Sequence, residues 1–205
     1  MTMTPQPLRI LSVSDFEVAE LTRMVTDKSL DPVDLIISCG DMAPEYLAFL
    51  RDRLDRPLLY VKGNHDIRYT PPHPMGCENI HGKLIKWKGL NILGLEGSMW
   101  YNGGQNQYTE AMMKKELFRL WFRLWRQKKI HLVITHAPPR GIHDREDLCH
   151  RGFESFTRFI HKHQPDLFIH GHVHDAFDHP RDRETRLGNT RVINTCGYTL
   201  LEVYP

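Results

Sequence analysis

Apolar and polar positions in the first sixty residues switch between two rhythms. LRILSV at 8–13 is a short β-rich run, and Val18, Leu21 and Val25 follow at helical spacing. DLIIS at 34–38 leads into a helical pattern over 46–54, and PLLYV follows at 57–61. This alternation predicts a layered α/β architecture. The middle of the chain changes character. KLIKWKGLNILGLEG at 83–97 sets Lys88-Gly89 between two apolar runs, which predicts a hairpin and therefore a mixed sheet. A long helix is predicted over 110–128, with Met113, Leu117, Leu120, Trp121 and Leu124 on one face and Lys114, Lys115, Arg119 and Arg123 mostly elsewhere. Trp121 and Trp125 are accordingly expected in the core. IHLVIT at 130–135, a helix over 153–161 and DLFIH at 166–170 come next. TRVIN at 190–194 and YTLLEV at 198–203 predict a terminal hairpin across Cys196-Gly197. Residues 71–74 and 102–107 read as surface loops, and no repeat or linker divides the chain.

Composition narrows the class. A chain of 205 residues fits one domain over 1–205, long enough to bury a sheet and its covering helices. No apolar run approaches the roughly 18 residues of a membrane span, which predicts a soluble protein with no membrane partner. The opening MTMTPQP has neither a basic start nor an apolar stretch, so the default expectation is a cytoplasmic location. Cys39, Cys77, Cys149 and Cys196 stand far apart with no C-x-x-C pair, which predicts buried, unbridged thiols. A net charge of +2 is too balanced for a dedicated nucleic-acid binder, and the basic clusters at 119–129 and 181–191 read as solvated faces. The unusual count is 13 histidines, so their placement matters.

Many of the polar residues of interest fall at strand ends. LRILSV runs into Ser14-Asp15-Phe16-Glu17, DLIIS into Cys39-Gly40-Asp41, and PLLYV into Lys62-Gly63-Asn64-His65-Asp66. HLVIT runs into His136 and DLFIH into Gly171-His172-Val173-His174. Ligands gather at such ends in α/β sheets, and hard oxygen donors mixed with imidazoles suit Mn, Fe or Zn. Each piece also has a plain reading: Gly40-Asp41 and Gly63-Asn64 as turns, His136 as a strand end, His172 and His174 as surface residues. Ser14-x-x-Glu17 likewise spells a helix capping box.

Taken in order, Asp15, GD (40–41), GNHD (63–66), His136 and GHVH (171–174) resemble the calcineurin-like metallophosphoesterase family. THAPPRGIHD (135–144) and GHVHDAF (171–177), with no room for a cap domain, are similar to its small single-domain members. The resemblance implies a four-layer αββα sandwich of two mixed β-sheets with a dinuclear centre at the strand ends. It implies Asp41 as the carboxylate bridging two divalent metal ions, since a carboxylate offers two oxygens on one short arm. One metal would also take Asp15, His174 and the residue at 17; the other would take Asn64, His136 and His172. His65 would face the substrate as proton donor or as a stabiliser of phosphoryl charge, because imidazole exchanges protons near neutral pH. The implied reaction is hydrolysis of a small phosphodiester or phosphomonoester by a metal-bound hydroxide.

The chain departs from the family at Glu17, where the usual D-x-H has an imidazole. A ligating glutamate would make the site harder and favour Mn or Fe over Zn; a capping glutamate would leave one metal a ligand short. Arg140 and Asp144, with His143, are expected as substrate or outer contacts, and Trp100, Tyr101 and Asn102 as pocket lining. His73, His81, His161 and His163 are assigned to the surface. Two other functions compete: a nuclease, which needs a basic groove, and a non-catalytic interaction protein that keeps the fold. The complete set from Asp15 to His174 argues against the second.

Overall fold

The computed structural model describes residues 6–67, 69, 74–127, 129–174 and 180–205. In chain order the elements are β1 (Leu8–Ser14), α1 (Ala19–Thr26), β2 (Leu35–Ser38), α2 (Pro44–Leu54), β3 (Leu58–Tyr60), β4 (Glu78–Asn79), β5 (Lys83–Trp87) and β6 (Leu90–Leu95). There follow β7 (Ser98–Met99), β8 (Gln107–Tyr108), α3 (Glu110–Arg119), α4 (Trp121–Trp125), β9 (Leu132–Thr135), α5 (Glu154–His163) and β10 (Leu167–His170). A 3-10 turn (Pro180–Arg183) leads into β11 (Glu184–Leu187), β12 (Thr190–Asn194) and β13 (Gly197–Val203). The first sheet has the order β13-β1-β2-β3-β4 and the second β11-β12-β10-β9-β6-β5. Inner neighbours run parallel, while β13 on β1, β11 on β12 and β5 on β6 are antiparallel, so both sheets are mixed.

The layering follows from the alternation of side chains along buried strands. Ile10, Leu35, Ile37 and Leu59 of the first sheet share one apolar cluster with Ile92, Leu132, Ile134, Leu167 and Ile169 of the second. Their sequence neighbours point the other way. Leu11, Val13, Ile36 and Leu58 pack on Leu21, Val25, Leu47 and Leu50 of α1 and α2, and Leu93, Val133 and Phe168 pack on Met113, Phe156 and Ile160 of α3 and α5. Three apolar seams between four layers make the αββα sandwich. Strands buried on both faces read as unbroken apolar runs, which is how they look in the sequence.

Several local expectations are overturned. The helix expected over 110–128 is two helices that break at Leu120, and Lys128 lies outside the described residues. The break keeps Leu120 and Leu124 buried and turns Trp121 and Trp125 outward, at 53% and 74% exposure, so neither tryptophan is a core residue. Both line an apolar groove with Leu117, Phe118 and Phe159. The terminal hairpin does not form: β12 belongs to the second sheet and β13 to the first. β12 instead pairs with β11 across the Gly188-Asn189 turn. The capping box is absent as well. α1 begins at Ala19 with Val18 as its uncapped N-cap, and the Ser14 hydroxyl donates to the Gly40 carbonyl.

Cys39 and Cys196 are buried, whereas Cys77 and Cys149 are half-buried. His161 is exposed, but His81 and His163 are half-buried; the His81 ring accepts from the Glu96 amide, and His163 stacks on Phe159. The loop before β8 is tied by Gln107, whose Oε1 accepts from the amides of Tyr101, Asn102 and Gly103. His73 and the rest of the 71–73 loop lie outside the described residues. No helix among the described residues is long and apolar enough to cross a membrane.

Candidate metal centre

The C-terminal ends of β1, β2 and β3 in one sheet and of β9 and β10 in the other meet along one edge, where the apolar seam stops. Polar bonds close that edge across the two sheets. The His172 amide donates to Asp15 Oδ1 at 2.9 Å, and His136 Nδ1 lies 2.7 Å from the Cys39 carbonyl. Among the described residues two donor clusters result, Asp41 with His136 and His172, and Asp15 with His174 and Cys196; within each, one ligand atom per residue lies within 4.8 Å of the others.

The backbone is bent to present these groups. Asp15, Asp41 and His172 hold φ of 73°, 56° and 70°, a region that costs an L-residue about 1 kcal/mol or more. The glycines beside them are required by close approach. A Cβ on Gly63 would lie 2.0 Å from Asp41 Oδ1, and one on Gly171 would lie 1.9 Å from Ser14 Oγ and 2.7 Å from Asp15 Oδ2. The glycine of GNHD and that of GHVH are thus steric conditions for the cluster.

Hydrogen bonds aim the individual atoms. His136 Nδ1–H donates to Cys39 O, which turns Nε2 toward Asn64 Oδ1 at 3.1 Å and Asp41 Oδ2 at 3.2 Å. Asn64 donates its amide to the Tyr101 hydroxyl at 3.2 Å, so its oxygen faces inward. His172 Nε2–H donates to the Cys149 carbonyl at 2.7 Å, leaving Nδ1 as the ring's lone-pair donor. Such outer partners fix tautomer and direction in metal sites. Asp15 Oδ2 is the informative orphan. It is buried and, among the described residues, makes no hydrogen bond, and the one proton of nearby Ser14 Oγ goes to Gly40 O. A buried carboxylate oxygen without a proton donor is costly unless a cation satisfies it, so the donor set fits a metal.

The electrostatics agree. Burial alone would raise the Asp41 carboxyl, but the charge and hydrogen bond of His136 outweigh it and hold Asp41 well below the usual range. Burial likewise opposes charge on His136, yet Asp41 lifts it to about 9, so this imidazole keeps a proton that a cation would displace. His172 is pushed down to about 3 by burial and by His136, which leaves it a neutral ligand. Asp15 is lowered despite burial, chiefly through His174.

Asp66, the last residue of GNHD, has a part the sequence reading did not assign. Its Oδ2 accepts from the amides of Asp41 and Gly63, both at 2.7 Å, and so clamps the two ligand loops together. Of the lining residues, Tyr101 reaches Asn64, while Trp100 is exposed. His65 is exposed, and its amide donates to Asp41 Oδ1 at 2.8 Å. Glu17 is exposed and falls in neither donor cluster. Arg140 pairs with Asp144 at 2.6 Å and with both oxygens of Glu146 at 2.8 Å, and Asp144 also accepts from the amides of Gly141 and Gly152. These two residues fold the 139–152 loop upon itself.

Behind the site, His170 Nδ1–H donates to the Gly171 carbonyl and its Nε2 lies 3.0 Å from His143 Nδ1; His143 Nε2 in turn lies 2.9 Å from Thr185 Oγ1. Burial, with His143 adding to it, pushes His170 down to about 3 from an ordinary 6.5. The unfolded chain therefore binds this proton more readily than the folded one. The stability it contributes is complete above pH 6.5 and is lost as pH falls toward 3. In the cation-free protein, melting temperature is expected to fall less steeply between pH 6.5 and 5 in His170→Asn than in the wild type, with His172 retaining part of the slope. Parallel curves would refute it.

The model of the calcineurin-like phosphoesterase family matches residues 9–176. Among curated proteins none matches the sequence. Of the solved structures, TT1561 of Thermus thermophilus superposes with a TM-score of 0.61 at 20% identity, covering 97% of this chain and 94% of its own. Vacuolar Protein Sorting 29 from Cryptosporidium parvum gives 0.52 at 11% identity, with 97% and 86% covered. A single mutant of Vps29 from Entamoeba histolytica gives 0.50 at 13%, with 96% and 87% covered. At these identities the structures share a fold and nothing finer. The family match runs from β1 through the GHVH segment, across the strand ends that carry Asp15, Asp41, Asn64, His136, His172 and His174, and the chain belongs to the calcineurin-like phosphoesterase family.

Proposed function

We propose that the protein is a metal-dependent phosphoesterase that hydrolyses a small phosphodiester at a dinuclear centre. The observation that carries this reading is the pair of adjacent donor clusters together with the unsatisfied, buried Oδ2 of Asp15. Asp41, Asn64, His136 and His172 would hold one divalent cation, and Asp15 and His174 the other, with Asp41 shared between them. When bound, the two cations would supply an activated water, alignment and neutralisation of phosphoryl charge.

The chain's own residues do the rest. Asn64 gives an oxygen without adding negative charge, and Tyr101 fixes which atom of its amide points in. Asp66 holds the Asp41 and Gly63 amides so that the two ligand loops keep their spacing. His65 stands exposed beside the donors with its backbone amide anchored on Asp41, and its imidazole would give a proton to the leaving oxygen or stabilise a non-bridging one. An open depression beside Asp41 and His65, lined by Met42, Pro44 and Tyr69, receives the ester substituent.

Bis(p-nitrophenyl) phosphate with added Mn is the direct test. Hydrolysis is expected to vanish on chelation and to return with Mn. Full activity in a metal-stripped sample would overturn the reading.

A further inference from the structure

Position 17 should, by the family pattern, bring an imidazole to the cation held by Asp15, but Glu17 is exposed and outside both clusters. A different residue arrives there. One donor atom each from Asp15, His174 and Cys196 lies within 4.8 Å of the others. Cys196 is buried and in no disulfide.

The topology explains how it gets there. β13 pairs antiparallel with β1 up to Ser14 opposite Gly197, so Asp15 and Cys196 are the residues that flank the last pair of the ladder. The chain leaves β12 in the second sheet and enters β13 in the first, crossing the strand ends at residues 195 and 196. That crossing is pinned. The Thr195 amide donates to His170 O at 2.7 Å, and Arg183 donates to Cys196 O. The Asn194 side chain accepts from the Cys196 amide at 3.0 Å and donates to Val173 O, between His172 and His174, at 2.8 Å. One amide side chain thus couples the cysteine to the histidine strand. The second, independent observation is Asp15 Oδ2 in the same cluster, buried and, among the described residues, without a hydrogen-bond donor.

We propose that Cys196 is a ligand to the cation held by Asp15 and His174, in the place that Glu17 does not fill; this rests on the phosphoesterase reading above. The thiol gives its proton to solvent as the cation binds, and the sulfur coordinates as thiolate. A thiolate makes this half of the centre softer than the half built from Asp41, Asn64, His136 and His172. It therefore favours Zn or ferrous iron over Mn there, the reverse of what a glutamate would do.

The test uses the full chain, stripped with chelator and titrated with Co(II) under a reductant that carries no thiol. A thiolate-to-cobalt charge-transfer band is expected in the near ultraviolet in the wild type, in Cys149→Ser and in Glu17→Gln, and is expected to be lost in Cys196→Ser. Zn affinity of one site should fall in Cys196→Ser by at least the roughly 10- to 100-fold that loss of an outer-shell partner costs. The wild-type spectrum, read beside those of Cys39→Ser, Cys77→Ser and Cys149→Ser, decides even if Cys196→Ser fails to fold. Two bound cobalt ions without the band, or a band that follows Cys149, would overturn the assignment and leave the phosphoesterase reading standing. A chain that binds no cation would overturn both.

Discussion

Asp41→Ala is expected to lose bound cation and hydrolytic rate together. Its two oxygens face different partners, Oδ1 toward the His65 amide and Oδ2 toward His136 Nε2, so no neighbour can take over both positions. Cation binding contributes several kcal/mol of charge stabilisation in such reactions, and its loss therefore predicts a fall of about 1,000-fold or more in rate. His136 also loses the carboxylate that lifts it to about 9, and as a fully buried ring it reverts toward the neutral form. Elemental analysis of the variant beside its turnover on an aryl phosphodiester gives the answer. Wild-type metal content with wild-type rate would remove Asp41 from the centre.

His65→Ala separates chemistry from metal binding. The contact of His65 with a ligand is made by its backbone amide, which alanine keeps, so the Asp41 carboxylate retains its 2.8 Å hydrogen bond. The exposed imidazole is what disappears. General acid catalysis is typically worth about 100- to 10,000-fold, and turnover is expected to fall in that range with metal content unchanged. Equal loss of metal in His65→Ala and Asp41→Ala would show that His65 supports the centre rather than the substrate.

The exposed Trp121, Phe122 and Trp125 show the limit of helical periodicity as a guide. In a continuous helix Trp121 would follow Leu117 on the buried face. The chain breaks at Leu120 without glycine or proline, so no local signal announces the break; packing of Leu120 and Leu124 against the second sheet decides it. The capping box at Ser14 failed for a related reason. Ser14 is the last residue of β1, and its hydroxyl is engaged by Gly40 on the neighbouring strand end, a partner 26 residues away.

A layered α/β architecture with a mixed sheet and most of the donors were legible in the chain alone, while the two-sheet sandwich came with the family resemblance. Side chains alternate along a strand, so each apolar run loads two seams at once, and the polar residues that interrupt those runs at one end must gather where the seams stop. Asp15, Asp41, Asn64, His136, His172 and His174 stood out on that ground, and the glycines beside them can now be read as clearance for the same atoms. Which strand pairs with which had to come from the folded molecule. An apolar run records that both faces are buried, but its hydrogen-bond partner is set by non-local packing and leaves no mark in the local pattern. For that reason 190–203 looked like one hairpin when it is a crossing between two sheets. The same crossing carries Cys196 to Asp15, 181 positions apart in the chain by their numbering and each next to the last pair of the β1–β13 ladder.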